Sequence, residues 1–206
     1  MNHKKYSNDD QTSFRILFDE RNAVELLTSQ IITWLPRFPR EYIIVCVGTD
    51  RSTGDALGPL TGTLLYGMKP RHLTVYGTLH DPVHAMNLSE YIDLIRENHR
   101  SPFIIAVDAC LGKTASVGHI IAGVGPLKPG AALKKALPEI GDIHVTGVVN
   151  TSGFMDHAVL QSTRLSMVMD MAETIADSLN LLDKKLSPSL MRPAILIDDG
   201  EERRMI

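Results

Sequence analysis

The sequence predicts an α/β protein of three layers, with a mostly parallel sheet between helices. Short apolar runs rich in β-branched residues alternate with longer segments whose apolar residues recur at helical spacing. Two of these runs, YIIVCVG at 42–48 and PFIIAVDA at 102–109, do not alternate with polar residues and are apolar up to Asp108 in the second, which is typical of strands buried on both faces. Strands that alternate with helices form parallel sheets covered by helices on both sides, so a three-layer α/β/α fold is expected.

In the first half of the chain, strands and helices are predicted in alternation. A helix over 22–35 ends at Pro36, because proline cannot continue it, and the strand at 42–48 follows. The next predicted elements are a helix at 55–68 (DALGPLTGTLLYGM), a strand at 73–79 (LTVYGTL) and a helix at 85–99, with Asn87 or Ser89 to cap the last.

The second half continues the pattern. The strand at 102–109 is followed by 116–130, whose glycines and prolines favour a hairpin or an edge strand. A further strand is predicted at 143–150 (IHVTGVVN), and one long amphipathic helix begins near Met155.

Both ends of the chain are predicted to lie outside the packed core. Residues 1–14 are polar and are expected to be flexible, and the prolines and charges of 184–206 indicate a tail, in which AILI would suit an extra strand or a docking segment. Because the connections are short, we expect 1–206 to form one α/β domain.

Composition excludes several classes of function. The formal net charge of −3 gives no reason to expect nucleic acid or an acidic membrane as a partner. The polar start lacks the apolar core of a secretory signal, and no apolar stretch is long enough to span a bilayer. Cys46 and Cys110 lie in apolar runs and are expected to be buried thiols rather than a disulfide, which favours a cytoplasmic protein. No cofactor is predicted.

Three segments that follow predicted strands are the candidates for a site. The carboxyl ends of parallel strands gather along one edge of the sheet, and sites form there. That rule selects 48–55, 108–113 and 150–157.

Asp55 has two interpretations. The loop before it has no G-x-G-x-x-G motif and no Walker lysine, so a nucleotide site is weakly supported. An aspartate before an apolar helical run is a common N-cap, and a capping loop still exposes backbone N–H groups to a ligand.

Asp108 ends an apolar strand, where a carboxylate must be hydrogen-bonded, paired or at the open end of the sheet. The structural alternative is an aspartate satisfied by the N–H groups of the following turn. Two carboxylates at one sheet edge supply an acid and a base, because one of a close pair holds its proton.

The other chemical side chains give weaker signals. His84 or His157 would complete a metal site with the aspartates, although an exposed histidine explains each as well. No G-x-S-x-G elbow surrounds a serine, and no histidine is tied to Cys110 as it would be in a thiol enzyme.

Three stretches together resemble a known family. VGTDRSTGDALGP (47–59), IAVDACLG (105–112) and VTGVVNTSGFMDH (145–157) are similar to the sporulation proteins of the YyaC type. These in turn resemble the germination protease of spore-forming bacteria and, more distantly, the hydrogenase maturation proteases. The resemblance covers about 42–182 and implies a phosphorylase/hydrolase-like peptidase fold in the forespore cytoplasm.

The resemblance also implies a catalytic pair. By motif, the two proposed catalytic aspartates of the germination protease fall on Asp55 and Asp108. Asn150 takes the position of a nickel-recognising histidine of the maturation proteases, and asparagine is a much poorer ligand for a transition metal. Gly48 and Thr49 would supply backbone N–H groups to an oxyanion, with His157 nearby. Thr49 also replaces the asparagine that usually follows the glycine of this loop.

Three functional hypotheses follow. The first is a metal-free peptidase that hydrolyses protein substrates, small acid-soluble spore proteins among them, and forms a homo-oligomer or acts alone. The second is a catalytically idle relative that binds or regulates a partner, using the C-terminal tail. The third is a metal-dependent hydrolase of another small substrate.

Overall fold

A computed structural model of the chain describes residues 12–38, 40–129, 137–153 and 155–186. Its strands form one six-stranded sheet in the order β1-β5-β6-β4-β2-β3. The strands are β1 (Ser13–Leu17), β2 (Tyr42–Cys46), β3 (Leu73–Tyr76), β4 (Phe103–Gly112), β5 (His119–Val124) and β6 (Ile143–Thr151). The α-helices are α1 (Ala23–Trp34), α2 (Leu57–Gly67), α3 (Leu88–Asn98), α4 (Asp156–Gln161) and α5 (Leu165–Lys185).

The sheet is mostly parallel, as predicted. Strands β3, β2, β4 and β6 are parallel neighbours, and β5 and β1 are added antiparallel beyond β6. The strand β2 is buried at every position, which agrees with its unbroken apolar sequence.

Helices cover both faces of the sheet, so the predicted three layers are confirmed. Buried residues of α1, α2 and α5 pack with alternate residues of the strands, such as Ile44 and Cys46, on one face. On the other face, Leu88 and Ile95 of α3 pack with Ile43 and Val45. Successive strand residues point to opposite faces, so each apolar strand supplies both layers.

The structure corrects two predicted element boundaries and the predicted position of one strand in the sheet. Ser13 and Phe14 belong to β1 rather than to a flexible terminus, while 1–11 lie outside the described residues. The 119–124 strand runs antiparallel to the next strand, β6, as the predicted hairpin requires, but it is internal and not an edge because β1 pairs with its other side. Lys184 and Lys185 belong to α5 rather than to the tail, and 187–206, with the AILI segment, lie outside the described residues.

The long C-terminal helix is divided. Instead of one helix from Met155, α4 ends at Gln161 and α5 begins at Leu165. This break lets the short α4 stand at the carboxyl end of the sheet while α5 lies along one face. None of the helices within the described ranges is long and apolar enough to cross a membrane.

Candidate active site at the carboxyl end of the sheet

A cavity of about 610 Å³ opens at the carboxyl ends of the central parallel strands. It brings together five of the six predicted site residues, which come from distant parts of the sequence. The residues from the prediction that line it are Gly48, Thr49, Asp55, Asp108 and His157. The expectation that the post-strand segments meet is therefore correct for these residues.

Gly48 makes the chain turn away from the sheet at the end of β2. Its φ of +149° is a conformation that L side chains rarely adopt, and a Cβ at this position would lie 2.0 Å from the Asp55 carbonyl oxygen. The Gly48 N–H donates to the Val83 carbonyl at 2.8 Å, and the Thr49 N–H donates to the Asp55 carbonyl at 3.1 Å. Both groups are engaged, so the predicted oxyanion role is wrong, and the two residues hold the loop in place instead.

Asp55 lies in a 3₁₀ turn, Gly54–Ala56, that precedes α2. No side-chain hydrogen bond caps this turn or α2, so the capping interpretation is wrong. Burial raises the pKa of the Asp55 carboxyl, while the Ser52 hydroxyl and the charge of His157 oppose that rise. The Ser52 oxygen is itself buried and makes no hydrogen bond of normal geometry within the described residues. The carboxylate of Asp55 therefore lines the cavity and does not cap the helix.

Asp108 lies inside β4 rather than in a loop after it, because the strand continues to Gly112. The Ala109 N–H donates to its carboxylate at 2.8 Å, which partly satisfies the structural alternative. The side chain is half-buried because it opens on the cavity. Loss of hydration nevertheless raises the pKa of Asp108 to about 8, and the negative charge of Asp55 adds to the rise.

The two aspartates therefore form an unequal pair. At neutral pH a carboxyl with a pKa of about 8 holds its proton, and it can donate that proton to a substrate atom. The pKa of Asp55 is raised as well, but Ser52 and His157 favour its ionised form. A carboxyl that holds its proton at neutral pH thus shares the cavity with a second carboxyl whose ionised form Ser52 and His157 favour.

A β-bulge adjoins the pair. The register of β4 with β6 shifts between Cys110 and Leu111, so that Leu111 pairs with Asn150. Bulges occur often next to active sites, where they redirect side chains. The Asn150 side chain does not line the cavity: its amide donates to the Thr163 hydroxyl at 3.2 Å and tethers β6 to the segment after α4. Asn150 therefore lies outside the cavity lining, and its supporting role stays a prediction.

The cavity lining also includes polar residues that were not among the predicted site residues, and Cys110, His144 and Thr146 are those that lie on the strands β4 and β6. Thr146 and His144 lie on β6 opposite Asp108 and Ala106, so they share a sheet face with the acid. Strand periodicity across the HVT segment would have placed them there. Cys110 is half-buried rather than buried, and burial raises the pKa of its thiol, while Cys46 is buried as predicted.

His84 and His157 line the cavity, as the metal hypothesis requires. However, across the described residues no group of three or more histidine, cysteine, aspartate or glutamate side chains is arranged to hold a metal ion. The Nδ1 of His84 accepts the Met86 N–H at 3.3 Å, which holds the histidine within its own loop.

Comparisons with known proteins agree with the sequence resemblance. Residues 15–178 match the family described as "Protein of unknown function (DUF1256)". The "Uncharacterized protein YyaC" of Bacillus subtilis (strain 168) is 56% identical over 142 residues, which is 69% of each chain. The predicted likeness to YyaC-type proteins is thereby confirmed.

Two solved structures are similar in fold. The [NiFe] hydrogenase maturation protease HycI from Thermococcus kodakarensis KOD1 matches with a TM-score of 0.46 and 16% identity, over 70% of this chain and 93% of the other. An uncharacterized protein from Wolinella succinogenes matches with a TM-score of 0.42 and 16% identity, over 70% of this chain and 97% of the other.

Proposed function

We propose that this chain, which belongs to the DUF1256 family, is a peptidase-like hydrolase in which Asp55 is the base and Asp108 the acid. One observation carries the proposal: Asp108, with a pKa of about 8, shares a cavity with Asp55, whose charge helps to keep that proton in place. Such a difference in protonation between two facing carboxyls is what acid–base hydrolysis requires.

The reaction uses one water molecule held between the two carboxyls. The Asp55 carboxylate takes a proton from the water, and the water oxygen forms a bond with the carbonyl carbon of the peptide. The C–N bond then breaks, and the Asp108 carboxyl gives its proton to the leaving nitrogen. Transfer of the proton from Asp55 to Asp108 restores the starting state, so protons and electrons balance.

The cavity is large enough for part of a polypeptide substrate. A cavity of about 610 Å³ accommodates several residues of a polypeptide, and much of its wall is apolar, including Met86, Leu127 and Leu137. Small acid-soluble spore proteins are the proposed substrate class, on the resemblance to the germination protease, and the forespore is the proposed compartment. No metal or cofactor takes part in the proposal.

Substitution of either aspartate by asparagine tests the mechanism. Asp55→Asn and Asp108→Asn should each lower kcat/KM for cleavage of a small acid-soluble spore protein by at least about 100-fold, because each loses a proton-transfer group. The wild-type rate should also fall above pH 8, as Asp108 loses its proton, and at acid pH, as Asp55 gains one. Asp50→Asn, an exposed neighbour in the same loop, is the matched control.

Cleavage by both asparagine variants at the wild-type rate would contradict the proposal. A rate that keeps rising from pH 8 to pH 10 would contradict the assignment of Asp108 as the acid.

One observation favours a binding protein without catalysis. The Gly48 and Thr49 N–H groups are both engaged, so the loop offers no oxyanion donor from these two residues. In that case the asparagine variants would bind the spore protein as the wild type does, and none of the three proteins would cleave it at any pH.

A further inference from the structure

The floor of the cavity contains an open strand edge beside the acid. Strand β4 pairs with β2 only as far as Val107, whereas its pairing with β6 continues to Gly112. The chain of β2 leaves because Gly48 turns its N–H to Val83 instead of continuing along β4. As a result, within the part of the chain that the structure describes, residues 109–112 have a partner strand on one side only.

Hydrogen bonds along β4 show which backbone groups face the open side. The Ile104 and Gly112 carbonyls accept from Asp142 and Ser152, which lie on the β6 side. Odd-numbered residues face the other way: the Phe103 N–H donates to Glu41 and the Val107 carbonyl accepts from Val47, both on the β2 side. Since the alternation persists from 103 to 112, Ala109 and Leu111 direct their backbone groups to the open side.

Three of these groups are free to accept or donate. The Ala109 N–H is used by the Asp108 carboxylate, at 2.8 Å. The Ala109 carbonyl and both backbone groups of Leu111 make no backbone hydrogen bond on that side with any described residue. Ala109 and Leu111 are half-buried and line the cavity, so a ligand can reach these groups.

From this geometry we infer that the edge at 109–111 binds an extended polypeptide by strand addition, parallel to β4, and thereby presents a peptide bond to Asp55 and Asp108. In a parallel pair, one residue of the added strand donates its N–H to the Ala109 carbonyl and accepts the Leu111 N–H through its own carbonyl. The Gly54–Ala56 turn, which carries Asp55, packs against β4, so a strand added at this edge lies close to Asp55. The inference rests on the proposed function for the statement that a peptide bond is presented to the two aspartates, whereas the binding of the peptide at the edge is a separate claim.

The occupant is a single unfolded segment rather than a second folded copy. The edge is three residues long and recessed in a cavity whose walls include Thr49 and Leu127. A folded sheet could not bring a neighbouring strand and its side chains into that space. Because the hydrogen bonds are made to the peptide backbone, many peptide sequences can bind. Alternate side chains of the peptide would contact the apolar wall at Leu127 and Leu137.

Leu111→Pro tests the edge, with Leu111→Ala as the matched control. Proline removes the N–H that faces the open side and fixes φ of residue 111, which strand-edge positions tolerate, so the pairing of β4 with β6 persists. Alanine removes the leucine side chain as proline does, but it keeps the N–H. Both changes would be made in the Asp55→Asn background, so that peptides are bound without cleavage. The probes are overlapping 12-residue peptides of a small acid-soluble spore protein and of β-casein, measured by fluorescence anisotropy.

We expect Leu111→Pro to weaken binding at least tenfold relative to Leu111→Ala, with equal thermal midpoints. Equal affinity of the two variants, or no binding of any peptide to the Asp55→Asn protein, would overturn the inference.

N-methylation of the peptide provides a second measurement that does not depend on folding of a variant. Methyl groups placed singly along a bound peptide should weaken binding at the one residue that donates to Ala109 and not at its immediate neighbours. A uniform effect at every position would contradict strand addition.

The two proposals can fail separately. If Asp55→Asn cleaves normally but Leu111→Pro loses peptide, the edge binds and the catalytic pair is wrong. If Leu111→Pro binds like Leu111→Ala while Asp55→Asn is inactive, the pair acts and the peptide is held elsewhere.

Discussion

The two ends of the sheet both bury acidic side chains, but they differ in how these are satisfied. At the amino end, Asp183 accepts the N–H groups of Arg71 and His72 at 3.0 and 2.7 Å. Also at that end, Glu41 lies 2.7 Å from one ring nitrogen of His99, and the Tyr76 hydroxyl lies 2.9 Å from the other.

At the carboxyl end the acids have fewer partners. Asp108 accepts the N–H of its own neighbour Ala109, and its nearest charge is the like charge of Asp55. Burial raises the pKa of both carboxyls there. A carboxylate that is fully hydrogen-bonded stabilises the fold, whereas a pair left partly unsatisfied retains reactivity at the expense of stability. The contrast therefore separates structural acids from candidate catalytic ones.

Asp183→Asn tests the amino end and should have the largest effect. Asparagine keeps the shape but cannot accept both N–H groups with a charged oxygen, and Asp183 is only 4% exposed. We expect the free energy of unfolding in urea to fall by about 2–4 kcal/mol. Asp177→Asn, on an exposed position of the same helix, should change it by less than about 0.5 kcal/mol. Equal stability of the two variants would remove the distinction between the ends.

Asp108→Asn tests the carboxyl end and should have the opposite sign. The folded state holds the proton of Asp108 up to a pKa of about 8, above the value of 3.8 for an unperturbed aspartate. The wild type therefore loses stability as pH rises between these values, because the unfolded chain releases the Asp108 proton while the folded state still holds it. The variant has no such acid and should be more stable than the wild type by about 1–3 kcal/mol at pH 8.

Near pH 4 the acid is only partly ionised in the unfolded chain and protonated in the folded state, so the two proteins should be nearly equally stable. Urea unfolding at pH 4, 6 and 8 measures this difference, with Asp50→Asn as the exposed control. An advantage of Asp108→Asn that stays constant with pH would contradict the raised pKa.

The central strands could be predicted from sequence because burial on both faces leaves an unbroken apolar run. Strand β1 could not, since SFRIL on the sheet edge buries only Ile16 and so carries almost no pattern. The end of β4 was also missed: Asp108 is polar, yet the strand continues for four more residues to Gly112 because β6 pairs with it. Tertiary pairing there overrides the local signal.

Proximity of the aspartates followed from the rule for sheet edges, but their protonation did not. The order in which the two carboxyls ionise depends on the hydration that each loses in the fold and on the neighbours Ser52 and His157 of Asp55. His157 is distant from Asp55 in sequence, and nothing in the sequence shows that the Ser52 side chain acts on Asp55. The oxyanion prediction failed for a related reason: hydrogen-bond partners such as Val83 come from a separate loop.

Asn150→Ala changes a residue that lies near the candidate site but makes ordinary structural hydrogen bonds, and it should have the smallest effect on stability. The side chain of Asn150 accepts the Thr151 N–H at 2.8 Å and donates to Thr163, so its loss removes ordinary hydrogen bonds. We expect the free energy of unfolding to fall by about 1 kcal/mol, while turnover of the spore protein stays within about threefold of the wild-type rate. Gln161→Ala, an exposed position on α4, is the control. If the folded variant instead turned over the spore protein at least about 100-fold more slowly, Asn150 would belong among the catalytic groups, because hydrogen bonds that only brace the fold do not select the transition state.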